Sequence, residues 1–281
     1  MEAKLKRRKN ARAALVRAAL WACVLFTAGV FLLLVAYVLV RGVPHLRLSM
    51  FSPTYTTENL SMLPAILNTL TMTGVTLLIA VPLGVGAAIY LTEYASNRRL
   101  VSVIEFATET LTGIPSIIFG LVGMLLFVQR MNLQAGILAG GLTLVVMILP
   151  TIVRTTQESL KTVPQSYREG ALGLGAGKWH MIRTVVLPGA VDGIVTGCIL
   201  AVGRIVGESA ALLYTAGFGL ELVGFVKALH TSSATLTVAL YVYATEGGET
   251  ALAFSIAAIL MVLTLLINLT ASLVGRKLRK K

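Results

Sequence analysis

Charge is what this sequence has least of. Only 13% of its 281 residues are Asp, Glu, Lys or Arg, roughly half the share found in soluble globular domains. With 56% of the residues hydrophobic, a chain folded in water would expose more apolar surface than water tolerates. An ordinary soluble enzyme is excluded, and a bilayer is the solvent that remains. Cysteine is almost absent. Cys23 and Cys198 both fall inside apolar runs with no metal-ligand spacing, so neither a disulfide framework nor a thiolate metal centre is expected, and both read as small buried residues. Histidine is equally scarce. His45, His180 and His230 stand in loops without ligand-like spacing, which argues against a metal site.

What the chain has instead is long apolar runs. They cover roughly 18–40, 66–91, 101–128, 135–153, 190–214 and 251–274, each near or above the roughly 20 residues that a helical crossing of the hydrocarbon needs. The expected fold is an all-α integral membrane protein with six transmembrane helices. A basic cytoplasmic tail would occupy 1–17, the first helix 18–40, a five-helix core 66–274 and a second basic tail 275–281. The first run has too long an apolar stretch for a signal peptide, and no small-residue cleavage pattern precedes Arg41. Two shorter apolar stretches, 220–229 and 236–244, cannot cross and are expected to lie on or dip into the outer surface.

The net charge of +12 would suggest nucleic acid in a soluble protein. Here the basic residues are sorted by loop. With the N-terminus inside, nineteen Lys and Arg fall on the inner side and four on the outer, leaving Arg204 within a span. That asymmetry places both termini in the cytoplasm and excludes nucleic acid as the partner.

The largest inner loop, about 164–188, reads PQSYREGALGLGAGKWHMIRTVVLP. A short helix is expected after Pro164, loosening at Gly173, Gly175 and Gly177. A second helix should start near Lys178 and stop at Pro188. Gly175, Gly177 and Lys178 hint at a phosphate-binding loop, but that pattern needs a glycine at Leu172 and a hydroxyl at Trp179. The chain is not expected to bind ATP.

The same loop resembles the EAA motif of ABC importer permeases, E-A-A-x-x-x-G followed after nine intervening residues by I-x-L-P. Glu169, Gly170 and Ala171 fill its first three places, Gly175 the seventh, and Val185, Leu187 and Pro188 close it; Gly170 and Val185 are its two departures. Three stretches further resemble the permease subunits of phosphate importers, of the PstA type: Thr112–Gly120, Ser166–Ala171, and Gly193–Gly197 running on to Gly203–Ala210. The likeness covers about residues 60–274. It implies the type I importer permease fold and a bacterial inner-membrane location, with no catalytic residue and no cofactor on this chain. It also implies partners: a homologous permease subunit forming a heterodimer, two copies of an ATP-binding subunit carrying ATP and Mg, and an extracytoplasmic phosphate-binding protein. Arg168 and Glu169 would make the loop's polar contacts with the ATPase.

Charge inside the hydrocarbon points to function because it is costly there. At about 100° per residue, Gly193, Gly197, Gly203, Arg204, Gly207 and Glu208 share one helix face. Glu208 stands one turn from Arg204, within pairing reach. Two readings stand: an ion pair holding helices together, or an arginine offered to an anion, with Glu208 orienting it. Pro115 must disturb the third span, either as a packing kink or as a break whose new N-terminus, at Ser116, could face an anion. Glu105 and Glu109, one turn apart near the inner end of that span, and Asp192 read as interfacial or paired with basic loop residues.

Another oxyanion such as molybdate or sulfate would suit Arg204 equally, and the sister phosphate permease shares much of this pattern. A membrane enzyme using Glu105, Glu109 or Glu208 lacks a nucleophile–base pair. The orientation can be checked with reporter fusions after Val128 and after Lys281. Alkaline phosphatase should be active only at the first, and a fluorescent protein only at the second.

Overall fold

The computed structural model describes residues 2–56, 59–245, 248 and 250–279, and no strand occurs among them. α1 (Glu2–Gly42) carries the first apolar span and is followed by two short 3-10 turns. α2 (Leu63–Ile89) continues into a π-helical turn, Tyr90–Tyr94. α3 (Arg98–Thr112) and α4 (Ser116–Gly123), the latter extended by a π-helical stretch to Arg130, meet at an angle of 101°. α5 (Ile137–Thr162) crosses back, and α6 (Gln165–Gly173) lies in the inner loop. α7 (Lys178–Met181) runs through a π-helical turn into α8 (Leu187–Val206). α9 (Ala210–Thr215), α10 (Phe225–Ala228) and α11 (Leu236–Thr245) form the outer connection, and α12 (Thr250–Arg279) returns. Among the described residues, five helices are long and apolar enough to cross a membrane, and a sixth if the bent α3–α4 pair counts as one crossing.

The structure decides one boundary that the sequence left between two readings and departs from the sequence reading at two others, each for a backbone reason. The third span is a break and not a kink: Pro115 has no N–H to give, and α4 starts afresh from it. The helix entering the fifth span does not stop at Pro188. The π-helical turn Ile182–Val186 widens the backbone just before it, so the proline ring sits in the first turn of α8 and the helix stays continuous from Lys178 to Val206. That span then ends at Val206, with Gly207 beyond it, instead of running on to 214.

Hydrocarbon supplies no hydrophobic drive between helices, so close approach and shape hold the bundle. α2, α5 and α8 pack side by side around Met72, Leu144, Met147, Ile148, Ile152 and Ile205, all buried. Glycines set the distances. Gly193 and Gly197 of α8 seat the side chains of Ser159 and Thr155 of α5; Gly84 of α2 seats Ile152; and Gly120 of α4 lies against the backbone of Ala210 and Ala211. A second cluster joins Ala88 and Ile89 to Val153, Leu160, Met181, Ile182 and Val186 at the inner end. A third, at the outer end, joins Met62 and Ala65 to Leu236, Leu252 and Ile256.

α11 does dip inward, and 233–239 are buried. α1 stays apart. Among its described side chains, those at the outer end are held, by the Tyr37 ring edge-on to Phe254 and by the Ser255 hydroxyl donating to the Gly42 carbonyl at 3.1 Å. Cys23 is therefore exposed on α1 and not buried, while Cys198 is half-buried. A side chain at Gly120 would collide with backbone at 2.7 Å, whereas one at Gly74 meets nothing within 4 Å. Gly120→Ala should cost about 1–3 kcal/mol, read as a lowered unfolding midpoint in detergent, and Gly74→Ala should leave that midpoint unchanged.

Candidate functional site

Two polar regions interrupt the apolar body, one at the inner loop and one at the end of α8. In the inner loop, α6 follows Pro164 and ends at Gly173, and the chain turns through Gly175 in a left-handed conformation (φ +83°) that favours glycine. Glu169, Gly170, Leu172 and Leu174 are exposed along with Tyr167 and Trp179, while Ala171 is half-buried against the inner cluster. Leu187 and Pro188 lie where α8 begins. The loop thus presents one acid and an apolar, aromatic surface away from the membrane body.

Arg168 does not share that surface. Its Nη2 and Nε donate to Glu93 Oε1 at 2.9 and 3.2 Å, Nη2 also to the Leu160 carbonyl at 2.8 Å, and Nη1 to the Val163 carbonyl. The two side chains are 11% and 7% exposed. A guanidinium has five N–H donors in a rigid fork, and here that fork is committed inward to the last carbonyls of α5 and to a buried carboxylate. Within this chain the Arg168 guanidinium is thus engaged internally, and Glu169 is the exposed charge of the pair. Glu93 was not singled out from the sequence, where it is one acid after an apolar run. The π-helical turn at Tyr90–Tyr94 is what rotates it inward. A cavity of about 450 Å³ opens beside it, lined by Lys161, Gln165, Leu172 and Lys178, with the Lys178 ammonium 4.9 Å from the Tyr94 ring centre.

Arg204 is not the only basic residue on a spanning helix. α5 extends to Thr162 and carries Arg154 and Lys161, both placed in the loop by the sequence reading, which ended the span at Val153. Each is neutralised. Arg154 lies 3.1 Å from Glu109 and from Glu158, and Lys161 lies 3.1 Å from Glu105, which also accepts from Gln157. The two acids of α3 are thus paired with basic residues, as expected, and bind α3 to α5.

Arg204 sits in the last turn of α8, half-buried, with no hydrogen bond or ion pair among the described residues. Glu208 is not its partner. The helix that would have placed it one turn away ends at Val206, and the Glu208 side chain, 9% exposed, turns to accept from the Ala211 N–H at 3.1 Å and cap α9. Its carbonyl accepts from the Thr237 hydroxyl at 2.7 Å, tying the break to α11. Gly203 meets nothing within 4 Å, so the face beside Arg204 is open, unlike the packed face at Gly193 and Gly197. Ser116 begins α4, half-buried, and its hydroxyl has no hydrogen-bond partner among the described residues. α4 packs on α9, so Ser116, Glu208 and Arg204 lie on connected elements. No hydrogen bond or ion pair among the described residues joins any two of their side chains.

A family model described as "Binding-protein-dependent transport system inner membrane component" matches residues 80–280. Among relatives, a probable ABC transporter permease protein YqgI of Bacillus subtilis is 33% identical over 92% of this chain and 93% of its own length. The phosphate transport system permease protein PstA 1 of Mycobacterium tuberculosis is 34% identical over 75% of this chain and 69% of its own. A chain of the inward-facing MetNI methionine ABC transporter shares the fold at 20% identity, with TM-score 0.59 over 86% of this chain and 96% of that one. A chain of a bacterial alginate ABC transporter does so at 18% identity, with TM-score 0.65 over 92% of this chain and 95% of that one. The cap role of Glu208 can be tested directly. Glu208→Gln keeps an oxygen for the Ala211 N–H and should leave thermal stability near native, whereas Glu208→Ala should lose about 1 kcal/mol.

Proposed function

The chain belongs to the binding-protein-dependent transport system inner membrane components, multi-pass ABC importer permease subunits without catalysis of their own, and we propose that its cargo is inorganic phosphate. The observation that carries this reading is Arg204. Arg154 and Lys161 on α5, and Arg168 at its inner end, are matched by carboxylates. Arg204 alone of these four has no partner among the described residues, and it stands on an open helix face. A guanidinium held without a counterion at membrane depth is costly and becomes favourable when an anion arrives. Its planar fork suits the paired oxygens of phosphate. The relatives named as phosphate permeases support the same cargo.

On this reading the chain pairs with a homologous permease subunit in the bacterial inner membrane. Two ATP-binding subunits, which hold ATP and Mg, dock on the inner loop through Glu169 and the exposed Tyr167, Leu174 and Trp179. An extracytoplasmic phosphate-binding protein delivers the anion. Arg204 and Ser116 face the path from α8 and α4, and Glu208 holds the break that ends α8 so that Arg204 keeps its place. Closure of the ATPase pair pushes the inner loop, and the packed helices tilt as rigid bodies from inward- to outward-facing.

The test is uptake and ATP hydrolysis by the reconstituted complex with phosphate-loaded binding protein. Arg204→Gln should lower uptake at least tenfold while basal hydrolysis persists, since one charge-assisted hydrogen bond is worth about 1.5–3 kcal/mol. Glu169→Ala should weaken stimulation of hydrolysis by the loaded binding protein. Native uptake in Arg204→Gln would contradict the path assignment.

A further inference from the structure

The buried Arg168–Glu93 clasp connects elements that the importer cycle must move together. Arg168 belongs to α6, the helix at the centre of the inner loop. Its guanidinium closes on the last carbonyls of α5, from Leu160 and Val163, where a positive charge also complements the helix dipole. Through Glu93 it also grips the π-helical end of α2. Lysine would not reproduce this, because its three N–H donors radiate from one nitrogen, whereas the guanidinium spreads its donors over Nε, Nη1 and Nη2. The pair is largely buried beside the inner-loop cavity, and Leu91, Leu160, Val163 and Met181 belong to the adjoining inner cluster.

α2 carries the connection across the membrane. From Glu93 to Asn68 is about 37 Å of helix at 1.5 Å per residue. At its outer end the Asn68 amide donates to the Ala234 carbonyl at 3.1 Å, and the Thr69 hydroxyl accepts from the Leu236 N–H at 2.9 Å. These two bonds fix the start of α11, whose Thr237 in turn holds the Glu208 carbonyl at the break after α8. The inner loop, α2, the outer re-entrant segment and the end of the Arg204 helix are thus joined by successive buried polar contacts.

We propose that the Arg168–Glu93 clasp makes the inner-loop helix and α2 a single rigid body, so that ATP-driven movement of the loop reaches the outer re-entrant segment through α2. Arg168 and Glu93 are positioning residues for coupling. They touch neither the ATPase nor the transported anion. The inference rests on the importer-permease assignment and not on the cargo.

The experiment uses the complete reconstituted complex, with Cys23 and Cys198 changed to serine and spin labels attached at Ser96→Cys and Ser166→Cys, two exposed positions on either side of the clasp. Pulsed electron resonance reads their separation without nucleotide and with ATP trapped by vanadate, and phosphate import per ATP hydrolysed is measured in parallel. With the clasp intact, one narrow separation should persist in both states. In Glu93→Ala the distribution should broaden or shift on ATP trapping, and import per ATP should fall at least about fivefold, the low end of measured couplings. If Glu93→Ala does not assemble, Glu93→Gln, which keeps one oxygen for the guanidinium, should show the same changes to a smaller degree.

An ATP-dependent separation in the native complex would overturn the rigid body. So would native separation and native import per ATP in the variants. Loss of ATPase association in Glu93→Gln would also overturn the proposal, because the clasp would then serve docking and not transmission. Failure of the native complex to import phosphate would count against the cargo alone, and the spin-label separations would still decide this inference.

Discussion

A helix interrupted inside hydrocarbon leaves N–H and C=O groups with no water to satisfy them, and this chain interrupts its helices at several points between α3 and α11. Each interruption is possible only because its own residues supply the missing partners. At the α3–α4 bend, Gly113 and Ile114 fold back onto the carbonyls of Thr110 and Leu111, and α4 begins at a proline that has no N–H to satisfy. After α8, Glu208 N–H returns to the Ile205 carbonyl, and the Glu208 carboxylate caps α9. Beyond α9, the Ser232 hydroxyl accepts from Phe218 and Gly219, while Ser233 and Ala234 N–H groups reach the carbonyls of Ala216 and Gly219. The breaks are therefore built positions, and they fix where irregular polar backbone can stand in an otherwise apolar protein.

The same accounting governs charge. Arg154, Lys161 and Arg168 each meet a carboxylate within 3.1 Å, whereas the described surroundings of Arg204 offer none. The break after Val206 has a direct part in this, because it turns the nearest acid, Glu208, away into a backbone cap. Had α8 continued one more turn, arginine and glutamate would stand at i and i+4 and could neutralise each other. One loss of helix thus leads into α9 and the outer connection and leaves Arg204 without a carboxylate among the described residues.

How much of this the sequence displayed depends on the range of the forces involved. The apolar runs and the sorting of basic residues reveal the membrane-spanning class, because burial in hydrocarbon acts on whole segments. The inner-loop pattern Glu169-Gly170-Ala171 with Gly175, Leu187 and Pro188 is local, and it points to the family that the chain joins. What escaped was backbone register. π-helical turns at Tyr90–Tyr94 and Ile182–Val186 have no residue signature, yet they bring Glu93 inward and carry a helix past Pro188. Helical spacing placed Glu208 beside Arg204, and only the end of α8 at Val206 separates them. Arg154 and Lys161 were assigned to a loop because hydropathy ends the span where the helix does not.

Cargo identity is the claim on which the functional account turns, and oxyanion competition in the reconstituted importer tests it most directly. ATP-loaded vesicles carrying both permease subunits and the ATPase, supplied with binding protein, should accumulate labelled phosphate. Arsenate, which matches phosphate in shape and protonation, should compete, and sulfate and molybdate should not. Accumulation of sulfate or molybdate without phosphate would leave the permease fold in place and contradict the cargo.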